Sequence, residues 1–560
     1  MTRARRRARP GAPSCPIRAP AAGTTAAAAR GARWAAWWWW ASLVVLVVVV
    51  YGAAPRAAFV NWDDGVHVYE NARVTAPDAL RRSWSAACIP GFYPILFGTY
   101  RLEWLAASRQ PWLFHLDNVI LHAVDALLVG LLAAELGLGS LAAWFAATLW
   151  ALHPAHVESV AWVSERKNVL YVLFWLGSLL VWLRWRRGDG RPAPLAYAVA
   201  LLLFALSLLS KGAAVTLPAA LVLLEWYRGG RLDRRFWLSL APYVALGLVV
   251  GLHLTRLVPA TLAVPPLVSR LAIACRAFWF YLATFVWPYP LVPVYAKWSL
   301  APAGPAVLAA LGLAALATVA AAVRARVPRV VLFGGGFFVV NLSVVLGIVW
   351  NSYMGHAFVA DRYLYLPAVG LTIAAVAGMG ELAPRMGLPP RGAALAGAAA
   401  LAALAVATWR QVPVWHDSDA LWTYTLAHNP DCVPCHENLG LVLLERGELD
   451  AAAAHYERAR RLGIGSNGAV AFCVLRRSGP RNPATSNPQS PSVLATCERS
   501  AGATGTSNSL YFEHEPSHKL PTLPARADRL PLRKPVERSY AAGRGGSVTT
   551  KCLSNMLETT

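Results

Sequence analysis

The sequence predicts an all-α polytopic membrane protein carrying a short soluble helical segment. Three observations predict it. Hydrophobic residues make up 56% of the 560-residue chain and charged residues only 14%, where soluble domains carry about 25% charged residues. Apolar runs of membrane-spanning length recur from residue 37 to residue 410. The net charge of +23 is nearly all arginine, since only six of the 52 basic residues are lysine, and the arginines gather in short loops. These figures exclude a soluble enzyme and a disordered chain. Nucleic acid is the usual partner of so basic a protein. Here the arginines sit at loop ends and in tails with no aromatic–basic groove, so no nucleic-acid partner is expected. Cytoplasmic loops of a membrane protein accumulate the same charge.

Residues 1–36 form a basic N-terminus: Arg3, Arg5, Arg6, Arg7, Arg9, Arg18, Arg30 and Arg33 precede the apolar run 37–54 with no acid among them. That run is long and Trp-rich with no small-residue cleavage site, so it reads as an uncleaved first span with its arginines kept cytoplasmic. Further spans are expected near residues 114–136, 140–153, 168–185, 192–210, 211–227, 237–255, 303–323, 330–350, 363–382 and 392–409. Segment 271–290 would break the parity of the charged loops if it crossed, so a re-entrant or interfacial position is expected, where Trp and Tyr are favoured. Eleven crossings then place the clusters Arg184/Arg186/Arg187/Arg191, Arg228/Arg231/Arg234/Arg235, Arg324/Arg326/Arg329 and Arg385/Arg391 inside. The outer face receives loops 55–113, 154–167, around 211, 256–302 and 351–362, together with everything after residue 410.

Residues 411–465 turn soluble and helical. Asn438-Leu439-Gly440, Leu443, Arg446-Gly447, Asp450, Ala452, Tyr456 and Ala459 fit a tetratricopeptide pattern, with small residues where two helices cross. Stable arrays need about three such repeats, yet the pattern stops at Gly465. Residues 466–560 hold 21 Ser/Thr and 9 Pro with no helical period, the composition of a disordered or frameshifted tail.

The outer loops carry the chemistry. Asp63-Asp64 follows the first span beside Trp62, and adjacent carboxylates near an apolar surface suit a general base, with a solvated loop pair as the bland alternative. His153, His156 and Glu158 stand after the third span. Their spacing is not that of a zinc-protease helix, a divalent metal is not predicted, and a structural cluster fits equally. The membrane domain has only Lys167, Lys211 and Lys297, all at the outer edge that charge bias disfavours. Cations held there suit a lipid phosphate, with snorkelling as the alternative for any one of them. Asp361-Arg362 adds an ion pair or a second phosphate clamp. Cys432-Val433-Pro434-Cys435-His436 matches the haem c attachment motif. No distal-ligand region accompanies it, so a disulfide or reduced pair is expected rather than haem, and no firm cofactor follows.

In order along the chain stand Asn61-Trp62-Asp63-Asp64, Phe114-His115-Leu116-Asp117-Asn118, His153-Pro154-Ala155-His156-Val157-Glu158, Glu165-Arg166-Lys167-Asn168, Ser210-Lys211-Gly212 and Ala360-Asp361-Arg362-Tyr363. Together, over residues 55–464, they resemble the transmembrane and tetratricopeptide-repeat-containing O-mannosyltransferases and their bacterial relatives. The resemblance implies a GT-C membrane glycosyltransferase fold and a polyprenyl-phosphate-linked sugar as donor. By it, Asp63 and Asp64 activate the acceptor, Arg166, Lys167, Lys211 and Arg362 bind the donor phosphate, and His153, His156 and Glu158 belong to a second outer loop of unassigned role. Family members carry several repeats where this chain shows one, which leaves acceptor binding by repeats open.

The expected function is transfer of a hexose such as mannose from a polyprenyl-phosphate carrier to a protein Ser/Thr or other hydroxyl, on a protein or glycan acceptor, on the extracytoplasmic face. The alternative is a membrane-anchored tetratricopeptide scaffold for periplasmic partners, without catalysis. A flippase would place charge in mid-span, whereas these charges sit at span ends. High Ala, Arg and Gly with scarce Lys points to a bacterial inner membrane with the site and repeats periplasmic.

Overall fold

A computed structural model describes residues 26–84, 92–187, 194–256, 264–299, 327–463 and parts of 311–321. Most of the basic N-terminus, most of the expected span 303–323 and the tail 466–560 lie outside the described residues. Among the described residues all regular structure is helical. Among the described residues seven helices are long and apolar enough to cross a membrane, and four shorter apolar helices accompany them.

The chain runs through α1 (Ala26–Val50), the short α2 (Ala72–Thr75) and α3 (Ala79–Ser83), α4 (Pro94–Ala107), α5 (Pro111–Glu135), α6 (Ser140–Ala151) and α7 (Val157–Ala161). Then come α8 (Arg166–Arg187), α9 (Pro194–Ser210), α10 (Leu217–Tyr227), α11 (Arg234–Arg256) and α12 (Leu267–Val286). The last are α13 (Arg329–Leu342), α14 (Pro367–Arg385), α15 (Pro390–Gln411), α16 (Ser418–His428), α17 (Val433–Glu445) and α18 (Leu449–Leu462). Proline stands in the first turn of α4, α5, α10, α14 and α15, where its fixed φ suits the helix and no hydrogen bond is lost. Asp233 caps α11 by accepting from the Phe236 N–H at 2.9 Å, and Asp417 caps α16 through the Ala420 N–H at 2.9 Å.

Helices α5 and α8 form the centre. Trp175, Leu176, Leu179 and Trp182 of α8 are buried, as are Ala126, Val129 and Leu132 of α5. Helices α13 and α14 cross where Gly334 faces Gly370, so closely that a Cβ on either would collide with the other's carbonyl oxygen. Close backbone approach between small residues is how apolar helices associate without a hydrophobic driving force.

The helix ends sort onto two faces. One face holds arginines: Arg186 Nη2 donates to Glu225 Oε1 at 2.6 Å, Arg187 pairs with Glu135, and Arg329 lies beside Gly229. The opposite face gathers the loop after α1, the turns of 153–165, Lys211 and the segment 343–364. Helix α12 is long and apolar enough to span, and several of its contacts lie on this second face. Arg270 Nη1 donates to Ile348 O at 2.7 Å, Ile273 packs on Gly347, the Tyr281 hydroxyl meets Ala360, and Phe285 stacks on His153. The helix also reaches α13, where the ring centres of Phe278 and Phe338 are 5.6 Å apart.

Helices α16–α18 dock on the same face. The Ala58 N–H donates to His416 O at 2.8 Å, Trp162 stacks on Trp415 with ring centres 5.2 Å apart, and Asn429 Nδ2 donates to Val294 O at 3.1 Å. Helices α17 and α18 form a hairpin whose turn uses Gly447 at φ +80°, a conformation that costs glycine little. A Cβ on Gly440 would stand 3.0–3.2 Å from ring carbons of Tyr456, so the missing side chain makes room for that ring. Cys432 and Cys435 are joined to each other in a disulfide, and His436 is engaged at both nitrogens, Nδ1 with His455 at 2.9 Å and Nε2 with Pro430 O at 3.0 Å.

Candidate active site

The two adjacent carboxylates of the first outer loop have different fates. Asp64 is buried, and its oxygens accept from the Val60 N–H at 2.9 Å, the Ser164 N–H at 3.0 Å and the Ser164 hydroxyl at 2.5 Å. Burial pushes its pKa up to about 6 against those hydrogen bonds. Asp64 thus clamps the loop to the turn before α8. Asp63 is half-buried, and among the described residues its carboxylate makes no hydrogen bond. Burial raises its pKa too, while Lys167, Arg362 and His356 act against that rise and Glu165 adds to it. A carboxylate that is desolvated, unpaired and set in a field of cations is available for proton transfer.

Those cations are gathered by a residue that the sequence reading quoted but gave no role. The buried carboxylate of Glu165 lies 3.0 Å from Lys167 Nζ, 3.3 Å from Lys211 Nζ and 3.5 Å from Arg362 Nε. The three come from the start of α8, the turn after α9 and the segment before α14, so their meeting is tertiary. Lys211 Nζ also donates to Asn168 Oδ1 at 2.5 Å. Asn168 Nδ2 donates to Arg362 O at 3.1 Å and to the Ser159 hydroxyl at 2.9 Å. Glu158 pairs with the Arg362 guanidinium and accepts its N–H at 2.8 Å. Arg362 lies 3.9 Å above the Tyr353 ring, and Asp361 accepts from the Tyr295 hydroxyl at 2.7 Å. Three cations face two carboxylates here, with Asp63 nearby, and such a cluster is prepared to take an anion.

Other predicted site residues lie elsewhere. Arg166 is not in the cluster with Lys167, because consecutive positions of a helix diverge by about 100°. Its side chain is fully buried: Nε donates to Asn118 Oδ1 at 2.7 Å, Nη2 to Phe114 O at 2.6 Å, and Nη1 pairs with Glu103 and with Asp117 at 3.4 Å. It ties α4 and α5 to α8 and corrects the phosphate-binding role expected of it. His153 bonds Phe285 O at 3.0 Å, and the ring of His156 packs within 5 Å of those of Trp150 and Tyr365. Both rings belong to an aromatic core, whereas Glu158 reaches the site through Arg362. Lys297 donates to Gly355 O and stands apart from the Glu165 cluster. Among the described residues no group of three His, Cys, Asp or Glu side chains could hold a metal ion.

On the remaining side of Asp63 lies an aromatic cradle. Trp62 meets Trp422 of α16 at 4.9 Å, His356 at 6.0 Å and Trp162 at 6.5 Å between ring centres. Neither His356 nor Trp422 carries a local signal that would have marked it in the sequence.

The described residues thus form an all-helical body that sets an unpaired carboxylate beside three gathered cations at one end of its helices. The relatives by sequence are of the family that the ordered motifs resemble. The chain is 32% identical over 219 residues to Protein O-mannosyl-transferase Tmtc2 of Drosophila melanogaster, covering 36% of this chain and 23% of that one. It is 30% identical over 125 residues to Protein O-mannosyl-transferase TMTC3 of Homo sapiens, covering 22% and 14%. It is 38% identical over 96 residues to Protein O-mannosyl-transferase tmtc2 of Xenopus laevis, covering 17% and 11%. The matches thus span less than a quarter of the length of these curated relatives. No protein-family model matches the chain. Among solved structures it is similar to ArnT from Cupriavidus metallidurans in the apo state, with 19% identity, a TM-score of 0.37 and 76% of each chain covered.

Proposed function

We propose that this chain is a GT-C-type membrane glycosyltransferase that moves a hexose, mannose in the first instance, from a polyprenyl-phosphate carrier to a hydroxyl on the extracytoplasmic face. The observation that carries the proposal is Asp63, unpaired and desolvated, in the field of the cations that Glu165 gathers. The sequence relatives named O-mannosyl-transferases support the sugar and the protein acceptor. The arginine-rich opposite face supports the orientation, since cytoplasmic loops collect arginine.

In this mechanism the donor lipid enters sideways from the membrane, and its phosphate sits against Lys167, Lys211 and Arg362. The acceptor hydroxyl approaches Asp63, which takes its proton as the oxygen bonds to the anomeric carbon. The bond from that carbon to the phosphate oxygen breaks, and its electron pair leaves on the polyprenyl phosphate. The cations stabilise the leaving phosphate where its charge develops. Attack opposite the leaving group inverts the anomeric carbon.

The test separates the two aspartates. Asp63→Asn, purified and given polyprenyl-phosphate mannose with a Ser/Thr peptide, is expected to lose about 10²–10⁴-fold in transfer, the usual worth of a general base. Asp64→Asn is expected to lower folded yield while its folded fraction still turns over. Undiminished transfer by Asp63→Asn would remove the base assignment.

A further inference from the structure

Asn61 lies two residues before Asp63, and three hydrogen bonds join it to the appended helices. Its N–H donates to the Ser418 hydroxyl at 2.9 Å, its Nδ2 donates to Asn438 O at 3.1 Å, and its Oδ1 accepts from Trp422 Nε1 at 2.6 Å. Ser418 and Trp422 belong to α16 and Asn438 to α17. The indole is only a donor and the carbonyl only an acceptor, so the amide has one orientation that satisfies both. Aspartate would face the Asn438 carbonyl with a second acceptor, and leucine could make neither side-chain bond. The next residue, Trp62, packs its ring on that of Trp422, and the Ala58 N–H binds His416 O at 2.8 Å. From residue 58 to residue 62 the loop before the base is therefore held on one side by the segment 416–438. On the other side Asp64 is held by Val60 and Ser164.

We infer that Asn61 is a positioning residue through which helices α16 and α17 set the place of Asp63, so that the appended helical segment completes the catalytic site. The inference rests on the reading of Asp63 as base. It gives α16 and α17 a role that needs neither a long repeat array nor a partner. The loop has a covalent anchor in α1 and a hydrogen-bonded anchor at Asp64. Without the Asn61 side-chain bonds the stretch keeps the Ala58 bond and the Trp62 ring contact but loses its directional ties to α16 and α17. A shift of about an ångström can cost about 10²-fold in rate.

The experiment uses the full chain with Asn61→Ala, Trp422→Phe, the double variant, Asp63→Asn, and Arg446→Ala as a control on the exposed Arg446–Asp419 pair of the same helices. Trp422→Phe keeps a ring against Trp62 and removes the Nε1 donor together with part of the indole's buried volume, so folded yield is read beside the kinetics. Two readouts are taken: kcat and donor KM with polyprenyl-phosphate mannose, and amide hydrogen exchange of residues 57–68, which needs no substrate. The expected result is a kcat lowered about 10–100-fold in Asn61→Ala and several-fold in Trp422→Phe, with donor KM within about twofold. Exchange across 57–68 is faster in both variants, the double variant adds little to Asn61→Ala, and Arg446→Ala matches the wild type. Wild-type kcat and loop exchange in Asn61→Ala and Trp422→Phe, with transfer abolished in Asp63→Asn, would overturn the positioning role and leave the base in place. Full transfer in Asp63→Asn would overturn the base and the positioning role together.

Discussion

Among the described residues Glu165 is the one carboxylate that touches all three site cations, and replacing it by glutamine tests whether they form one unit. Its oxygens stand 3.0, 3.3 and 3.5 Å from Lys167, Lys211 and Arg362, and the side chain is buried. At an effective dielectric of about 20, each such contact is worth roughly 5 kcal/mol before desolvation is counted. Desolvation offsets much of that, and removing one partner from a buried ion pair costs about 3–5 kcal/mol in measured cases. Glutamine keeps the shape and one carbonyl acceptor, so the lower end applies, about 3 kcal/mol. With 1.4 kcal/mol per factor of ten, unfolding accelerates roughly a hundredfold if the cluster is absent from the unfolding transition state. Thermal unfolding in detergent, followed at fixed temperature by tryptophan fluorescence, reads this directly. A lipid phosphate supplies the missing negative charge, so polyprenyl phosphate without sugar must slow unfolding of Glu165→Gln more than it slows the wild type. Wild-type unfolding kinetics, or equal protection of both proteins by the lipid, would refute the idea that Glu165 holds the place of a donor phosphate.

Arg166 and Lys211 are expected to separate structure from binding. Arg166→Gln leaves Glu103 buried without its partner and lowers folded yield, while Lys211→Met preserves folding and weakens donor binding about tenfold, as read by detergent-extracted yield and donor KM. The pH profile follows from burial of Asp63. Its pKa is raised and a base must be ionised to act, so kcat falls as pH drops through a value above the ordinary carboxylate range near 4. A kcat measured from pH 4 to 8 with no acid limb would contradict this. Gly370→Ala forces α14 away from α13 because the added Cβ meets backbone rather than a movable side chain, so a marked loss of folded protein is expected in size-exclusion profiles.

Much of the architecture was legible because apolar run length and arginine placement respond to the membrane, a constraint that acts on each segment locally. Charge bias set segment 271–290 apart from the crossings, whereas by length and composition α12 is able to span. Site geometry was legible only where a residue's chemistry conflicted with its surroundings. Lys167 and Lys211 stood out as cations at a face that disfavours them, and both converge on Glu165. Arg166 has the same charge and stands beside Lys167, yet only the packing of α4 and α5 decides that it faces inward. Glu165 gave no separate signal, since an acid within a basic motif reads as an ordinary neighbour until three distant segments fold around it. His356 and Trp422 are isolated letters in long loops or helices, and nothing local marks them.

Asp63 and Asp64 make the same point about adjacency. The sequence offers two equivalent carboxylates, and the fold divides anchoring from chemistry by giving all the donors to one. Three donors aimed at Asp64 hold it as a fixed point, while the bonds of Asn61 fix the loop on the other side, and Asp63 is carried between two anchors without being bound itself. A general base gains from this separation, because each hydrogen bond its carboxylate accepts favours the ionised form and lowers its basicity. An anchored neighbour supplies position without that cost. The double variant Asp64→Asn/Asn61→Ala loosens both anchors while leaving Asp63 intact, and its kcat is expected to approach that of Asp63→Asn. If the double variant turned over as fast as the better of the two single variants, position would not be what the anchors provide.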